Sequence, residues 1–99
     1  MLYLNGTSLT VNHSCVTSNN YGLVANSAGA SINNSSIVGN SNYGVISSLA
    51  SPLLDATNNW WGATSGPYNA TSNPGGAGDH VSNGVNYTPY LTQAGLTCS

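Results

Sequence analysis

Val11-Asn12-His13-Ser14-Cys15-Val16-Thr17-Ser18-Asn19 reappears 21 residues later as Ile32-Asn33-Asn34-Ser35-Ser36-Ile37-Val38-Gly39-Asn40. One added residue then carries Tyr21-Gly22-Leu23-Val24 onto Tyr43-Gly44-Val45-Ile46, an offset of 22. The match extends backwards, with Leu2, Leu9 and Val11 falling on Leu23, Ala30 and Ile32. It extends forwards too, with Leu23 and Ile32 falling on Val45 and Leu54. A repeat of about this length marks a solenoid, in which each unit buries its apolar face only against its neighbours.

Inside each repeat the pattern is that of short strands. Leu9 and Val11 share one face with Thr10 opposite, and Ser14 and Val16 share one face with Cys15 opposite. This period-2 alternation is the signature of a half-buried strand. Asn5-Gly6 and Ala28-Gly29 supply turn chemistry between strands. No stretch repeats at 3.6 residues, so no helix is expected. Stacked repeats rise about 4.8 Å each, the spacing of paired strands. They place Val11, Ile32 and Leu54 in one inward column, Val16 and Ile37 in a second, and Leu23 and Val45 in a third. Thr10, Cys15, Ser31, Ser36 and Val38 are expected to point outward or to be less buried. Asn19 over Asn40 reads as a turn ladder of stacked amides rather than a ligand contact. Tyr21 over Tyr43, each followed by Gly, reads as a stacked aromatic pair at a corner rather than a sugar platform.

The pattern resembles the right-handed parallel β-helix repeat family. The likeness rests on residues 12–19 with Tyr21-Gly22, and on residues 34–40 with Tyr43-Gly44. It is more specific in Leu54-Asp55-Ala56-Thr57-Asn58-Asn59-Trp60-Trp61-Gly62, Ser65-Gly66-Pro67-Tyr68, Asn73-Pro74-Gly75-Gly76-Ala77-Gly78-Asp79-His80-Val81-Ser82 and Val85-Asn86-Tyr87-Thr88-Pro89-Tyr90-Leu91. These look like the closing coil and C-terminal tail of such proteins. The resemblance implies an all-β, right-handed parallel β-helix (β-solenoid) of about 2.5–3 coils with an irregular, aromatic-rich C-terminal cap. Residues 1-62 would form the coils and 63-99 the cap and tail, within a single domain. It implies no activity, because this repeat serves lyases, hydrolases, surface adhesins and structural proteins alike.

Composition narrows the function. The 99 residues contain no Lys or Arg and only two acidic residues, Asp55 and Asp79, and 39% are hydrophobic. Nucleic-acid affinity rests largely on Lys and Arg, so no nucleic-acid partner is expected. Attachment to an anionic membrane surface fails for the same reason. No apolar run approaches the length of a membrane span. Six N-glycosylation sequons begin at Asn5, Asn12, Asn33, Asn34, Asn69 and Asn86. With so little charge, glycans are a natural source of solubility, which points to an extracellular or cell-surface location. Asn33 and Asn34 overlap, so one excludes the other. Cys15 replaces Ser36 at an outward position and Cys98 lies near the end of the tail. A disulfide between them is expected, within one subunit or between neighbours.

Little chemistry is available. A glycosidase of the usual type needs two facing carboxylates. Here Asp55 aligns with Asn33 and Asn12, while Asp79 lies in the tail. The β-helix polysaccharide lyases typically use Arg or Lys as base, and neither exists. No GxSxG elbow accompanies His13 or His80. Asp79-His80 supplies two potential metal ligands, short of a site. No enzyme activity and no cofactor are expected.

Met1 aligns with Gly22 and Gly44, so the sequence starts partway round a coil, with no covering segment before Leu2. The leading expectation is therefore a non-catalytic structural subunit that joins copies of itself end to end into a filament or surface layer. Leu2, Tyr3 and Leu4 would meet a socket built from Trp60, Trp61, Tyr87 and Tyr90 of the next copy. The alternative is the C-terminal part of a carbohydrate-binding or polysaccharide-processing β-helix protein, with glycans as partners.

Overall fold

The computed structural model describes residues 2–5, 9–26, 30–48 and 54–95. None of these is helical. The strands are β1 (Leu2–Asn5), β2 (Leu9–Asn12), β3 (Cys15–Thr17), β4 (Tyr21–Asn26), β5 (Ala30–Asn33), β6 (Ser36–Val38), β7 (Tyr43–Ser47), β8 (Leu54–Asp55) and β9 (Val85–Asn86). They form three short parallel sheets in the orders β1-β4-β7, β2-β5-β8-β9 and β3-β6, none closed into a barrel. Each strand of the first repeat pairs with its counterpart in the second, because only that register keeps every apolar column facing inward.

The pairing follows the 21- and 22-residue offsets. Leu2 lies beside Leu23, Val11 beside Ile32, Val16 beside Ile37, and Tyr21 beside Tyr43. The third repeat departs from the expected register. Ser31 pairs with Asp55, an offset of 24, so Leu54 comes beside Ala30 and Ala56 beside Ile32. Sequence alignment had set Leu54 beside Ile32. The cause is a longer link: seven positions separate Ser47 from Leu54, against five from its pairing partner Ala25 to Ala30. A shift of two preserves the face, and Leu54 remains inward at 2% exposure.

Residues from 60 onward rejoin these sheets. Val81 bridges Val45 and Tyr68 bridges His80, extending the first sheet. β9 pairs with β8 in the second, and Trp60 bridges Ser36 in the third. Leu23, Val45 and Val81 therefore stack as one fully buried column. Ile32, Ile37, Ala56 and Trp61 complete the interior.

Two burial expectations are corrected. Val11 is only half-buried, because it belongs to the outermost strand of its sheet and has Ile32 on one side alone. Ser36 was expected outward and is buried at 3% exposure. It stands between Cys15 and Trp60 in the ladder, and the register sets the large indole of Trp60 next to it. Thr10 and Cys15 are exposed, and Ser31 and Val38 half-buried, as the alternation predicts.

Ile32 is fully buried at the centre of the stack. Ile32→Ala should cost about 2–5 kcal/mol through lost burial and a residual cavity, measured by equilibrium denaturation.

Candidate functional site

The most organised polar feature is a ladder at the corner after the third sheet. Asn40 is buried at 6% exposure. Its Oδ1 accepts the Asn19 N–H at 3.1 Å, and its Nδ2 donates to the Val16 carbonyl at 2.9 Å. The same Nδ2 donates to Asp79 Oδ2 at 2.7 Å. Asp79 also accepts the N–H groups of Gly39 at 3.0 Å and Asn40 at 3.1 Å. Each side chain thus holds the backbone of the repeat before it. The corner residues Ser18 and Gly39 adopt left-handed φ of 60° and 75°, turning their neighbours' N–H groups toward these acceptors.

Asn19 and Asn40, read from the sequence as stacked amides, are joined here by the Asn19 backbone N–H and the Asn40 side chain, and Asp79 is an unforeseen third member. The excursion through residues 62–78 hid it from repeat alignment. A signal existed: Asp79-His80-Val81 repeats the order of amide or carboxylate, ring and Val seen through Asn40, Tyr43 and Val45.

Beside it runs an aromatic ladder. Tyr21 and Tyr43 lie with ring centroids 5.9 Å apart, tilted by 34°. His80 stacks on Tyr43 at 4.1 Å, and Tyr68 meets His80 edge-on at 5.0 Å. The glycines after the tyrosines are fixed by crowding. A Cβ on Gly22 would lie 2.4 Å from the Gly44 carbonyl oxygen, and one on Gly44 would lie 2.9 Å from Asp79 Cβ. Tyr43 and His80 turn their ring faces to one another.

A second polar ladder stands at the preceding corner. Ser35 Oγ accepts the Ser14 N–H at 3.1 Å, and Asn59 Oδ1 accepts the Ser35 N–H at 3.0 Å. Asn59 is fully buried and donates to the carbonyls of Ile32 at 2.8 Å and Ala56 at 2.7 Å. His13, Asn34 and Asn58 take left-handed φ of 52°, 54° and 63° at this corner.

The two carboxyls lie in different settings. Burial pushes the Asp79 carboxyl above its ordinary range, and its N–H donors offset this only in part. Burial, the largest single influence, also pushes the Asp55 carboxyl up. Bonds from the Thr57 hydroxyl, the Thr57 N–H and the Asn33 amide outweigh it and hold that carboxyl below its ordinary range. No three His, Cys, Asp or Glu side chains gather into a possible metal site among the described residues.

The structure sorts the sequons. Asn12 is exposed and Asn86 half-buried. Among the described residues neither donates a hydrogen bond from Nδ2, and both use Oδ1 as acceptor. Asn33 commits Nδ2 to Asp55 and Thr57. Asn34 donates to Asn12, and the Ser36 of its sequon is buried. Asn69 is buried and donates to the Val81 carbonyl and Asn83. The side chain of Asn5 lies outside the described residues, as does Cys98. Cys15 is exposed.

The expected assembly residues also divide. Leu2, Tyr3 and Leu4 lie on β1, at the edge of its sheet, with side chains outside the described residues. Trp61 corrects the socket expectation. It is fully buried in the chain's own interior, because its position beside Ile37 points it inward. Trp60, Tyr87 and Tyr90 are half-buried, with Tyr87 and Tyr90 packed against the core. The Tyr87 hydroxyl donates to Ser72 Oγ at 2.8 Å.

The two ends of the stack differ. β1, β2 and β3 each pair on one side only among the described residues. Their positions are more open than those one repeat on: Val11 against Ile32, Ser14 against Ser35, Asn19 against Asn40. No Pro and no charged residue occurs before Pro52. At the opposite end the outermost strand, β9, has two residues, Pro89 follows closely, and the first sheet ends on the single bridge of Tyr68. Short strands, Pro and charge are the usual guards of a sheet edge.

No protein-family model matches the chain, and no curated protein or solved structure matches it significantly.

Asn40→Ala strips partners from the Asn19 N–H and the Val16 carbonyl. It should cost about 2–4 kcal/mol in denaturant melts at neutral pH. Acid acts oppositely on the two carboxyls. Asp79, raised on folding, contributes more favourably as the pH falls through its raised value. Asp55, lowered on folding, contributes stability above the ordinary carboxylate range that is lost as the pH falls through its lowered value. Melts between about pH 7 and pH 4 should show an acid-side gain in wild type that Asp79→Asn lacks.

Proposed function

We propose that this chain is a non-catalytic structural segment of the cell exterior, a right-handed parallel β-helix that associates with copies of itself through the β1-β2-β3 end. Parallel strands joined across successive repeats support the β-helix, and right-handed crossovers are the strong default for such connections. The observation that carries the functional reading is the edge that β1, β2 and β3 present among the described residues. Each of the three is the outermost described strand of its own sheet, and none carries a Pro or a charge to discourage pairing. The apolar side chains behind them, Val11 in particular, are incompletely covered. Another strand layer placed there would satisfy backbone groups and bury those side chains together.

The polar ladders fit a structural role. Asn40, Asn59 and Asp79 spend their hydrogen bonds on the chain's own backbone. The exterior location draws support from the accessible Asn12 and Asn86 sequons and from the near-absence of charge. A disulfide from exposed Cys15 to Cys98 belongs to the same reading.

Sedimentation and light scattering over a concentration series should show self-association of the native protein. Removing residues 1–4 should abolish it while buried Trp61 keeps its shielded fluorescence. Monomers at every concentration would end this reading. Intact-mass measurement on native material should show glycan at Asn12 or Asn86 and none at Asn69, with a deficit of two hydrogens from the disulfide. A bare 10.0 kDa chain carrying two thiols is the contrary result.

A further inference from the structure

We infer that Asn83 is a site of self-modification, at which the side-chain amide closes onto the Gly84 nitrogen, loses ammonia and leaves aspartate or isoaspartate directly before β9. Asn5 and Asn83 are the asparagines followed by Gly in this chain. Asn83 is exposed, in the turn that leads into β9. Gly84 has no side chain to shield its backbone nitrogen. Among the described residues nothing accepts the Gly84 N–H, and nothing accepts from Asn83 Nδ2, the nitrogen that must leave.

The electrophile is held by a buried neighbour. Asn83 Oδ1 accepts a hydrogen bond from Asn69 Nδ2 at 3.2 Å. Asn69 is itself buried and tied on every side. Its Nδ2 also donates to the Val81 carbonyl at 3.0 Å, and its Oδ1 accepts the N–H groups of Thr71 at 2.9 Å and Ser72 at 3.0 Å. Negative charge gathers on Asn83 Oδ1 in the tetrahedral intermediate. A donor already oriented at that oxygen lowers the barrier.

The reaction needs only water. A solvent base takes the Gly84 amide proton, the nitrogen forms a bond to Asn83 Cγ, and the bond from Cγ to Nδ2 breaks with release of ammonia. Nucleophile and electrophile are neighbours in one chain, so no second molecule has to be captured. Water then opens the cyclic imide. Breaking the new bond to Cγ leaves aspartate, and breaking the original peptide bond leaves isoaspartate, with the main chain rerouted through Cγ.

The two products differ in consequence. Aspartate keeps the backbone and turns a carboxylate toward Asn69 Nδ2, exchanging a neutral hydrogen bond for a charge-assisted one. Isoaspartate adds a backbone atom immediately before β9. There the Gly84 carbonyl accepts the Leu54 N–H at 2.8 Å, and buried Val85 pairs beside Leu54. β9 has two residues, too few to hold its register against the insertion. Isoaspartate therefore loosens β9 from β8 and draws Val85 out of the core. Either product adds negative charge to a chain of formal charge -2.

Ageing the native protein at mildly alkaline pH, followed by ion exchange and peptide mapping, tests this. A more acidic species should appear, with aspartate and isoaspartate at position 83, resolved by mapping from any change at Asn5. Position 83 should convert at least as fast in the folded chain as in the same chain unfolded in denaturant. Slower conversion in the folded chain means that the fold protects Asn83, and the proposal fails. Asn69→Asp keeps an acceptor for Thr71 and Ser72 but removes the donor, so it should slow conversion several-fold. An unchanged rate in that variant, folded, overturns the part given to Asn69. If it does not fold, the comparison of folded with unfolded wild type decides alone. Asn83→Asp should melt with the unaged protein, while the isoaspartate fraction melts earlier. Equal loss in both would overturn the register argument.

Discussion

The structure depends on one recurring interaction, a buried side-chain oxygen that accepts the backbone N–H of the repeat before it. Strand ladders satisfy backbone groups along the sheets, but the chain must also turn from one short sheet to the next, and there the sheet hydrogen bonds stop. The left-handed residues at the corners swing N–H groups into the interior, where an unpaired donor costs about 1–3 kcal/mol. Asn40, Asp79, Ser35 and Asn59 supply the missing acceptors. The same side chains reach carbonyls of nearby turns, so each locks two backbone segments together. Asn40, Ser35 and Asn59 thus meet a structural requirement of the turns.

This economy sets the character of the molecule. Each repeat covers the one before it, and the exposure of Val11, Ser14 and Asn19 records what happens where no repeat is stacked among the described residues. The closing region solves the opposite problem by folding back. Residues 62–78 leave the stack and return with Asp79, His80 and Val81 in the places of ladder amide, ladder ring and core Val. Trp61 fills the space beneath, and Gly76 lets the excursion press close, since a Cβ there would lie 2.0 Å from the Pro67 carbonyl oxygen.

Much of the fold was legible in the sequence because the repeat is nearly regular. The matches Val11 to Ile32, Val16 to Ile37 and Tyr21 to Tyr43 set the strand pairing directly, since parallel strands one repeat apart inherit the offset of the sequence. Asn19 over Asn40 followed from the same alignment. What the alignment missed lies where the offset changes. Leu54 sits beside Ala30 because the preceding link is longer, and Ser36 is buried because Trp60 comes to stand beside it.

By itself the sequence determined the all-β class, the strand register of the first two repeats, the inward columns and the poverty of catalytic groups. These are local or periodic properties, fixed by residue type and spacing. Only the tertiary structure decided that Asp79 joins Asn40, that His80 joins Tyr43, that Trp61 belongs to the interior and that Asn69 is sealed beneath Val81. Each of these joins residues across an aperiodic excursion. No repeat spacing predicts such a meeting, because the path of the excursion is set by close packing and by the demand of buried backbone groups for partners.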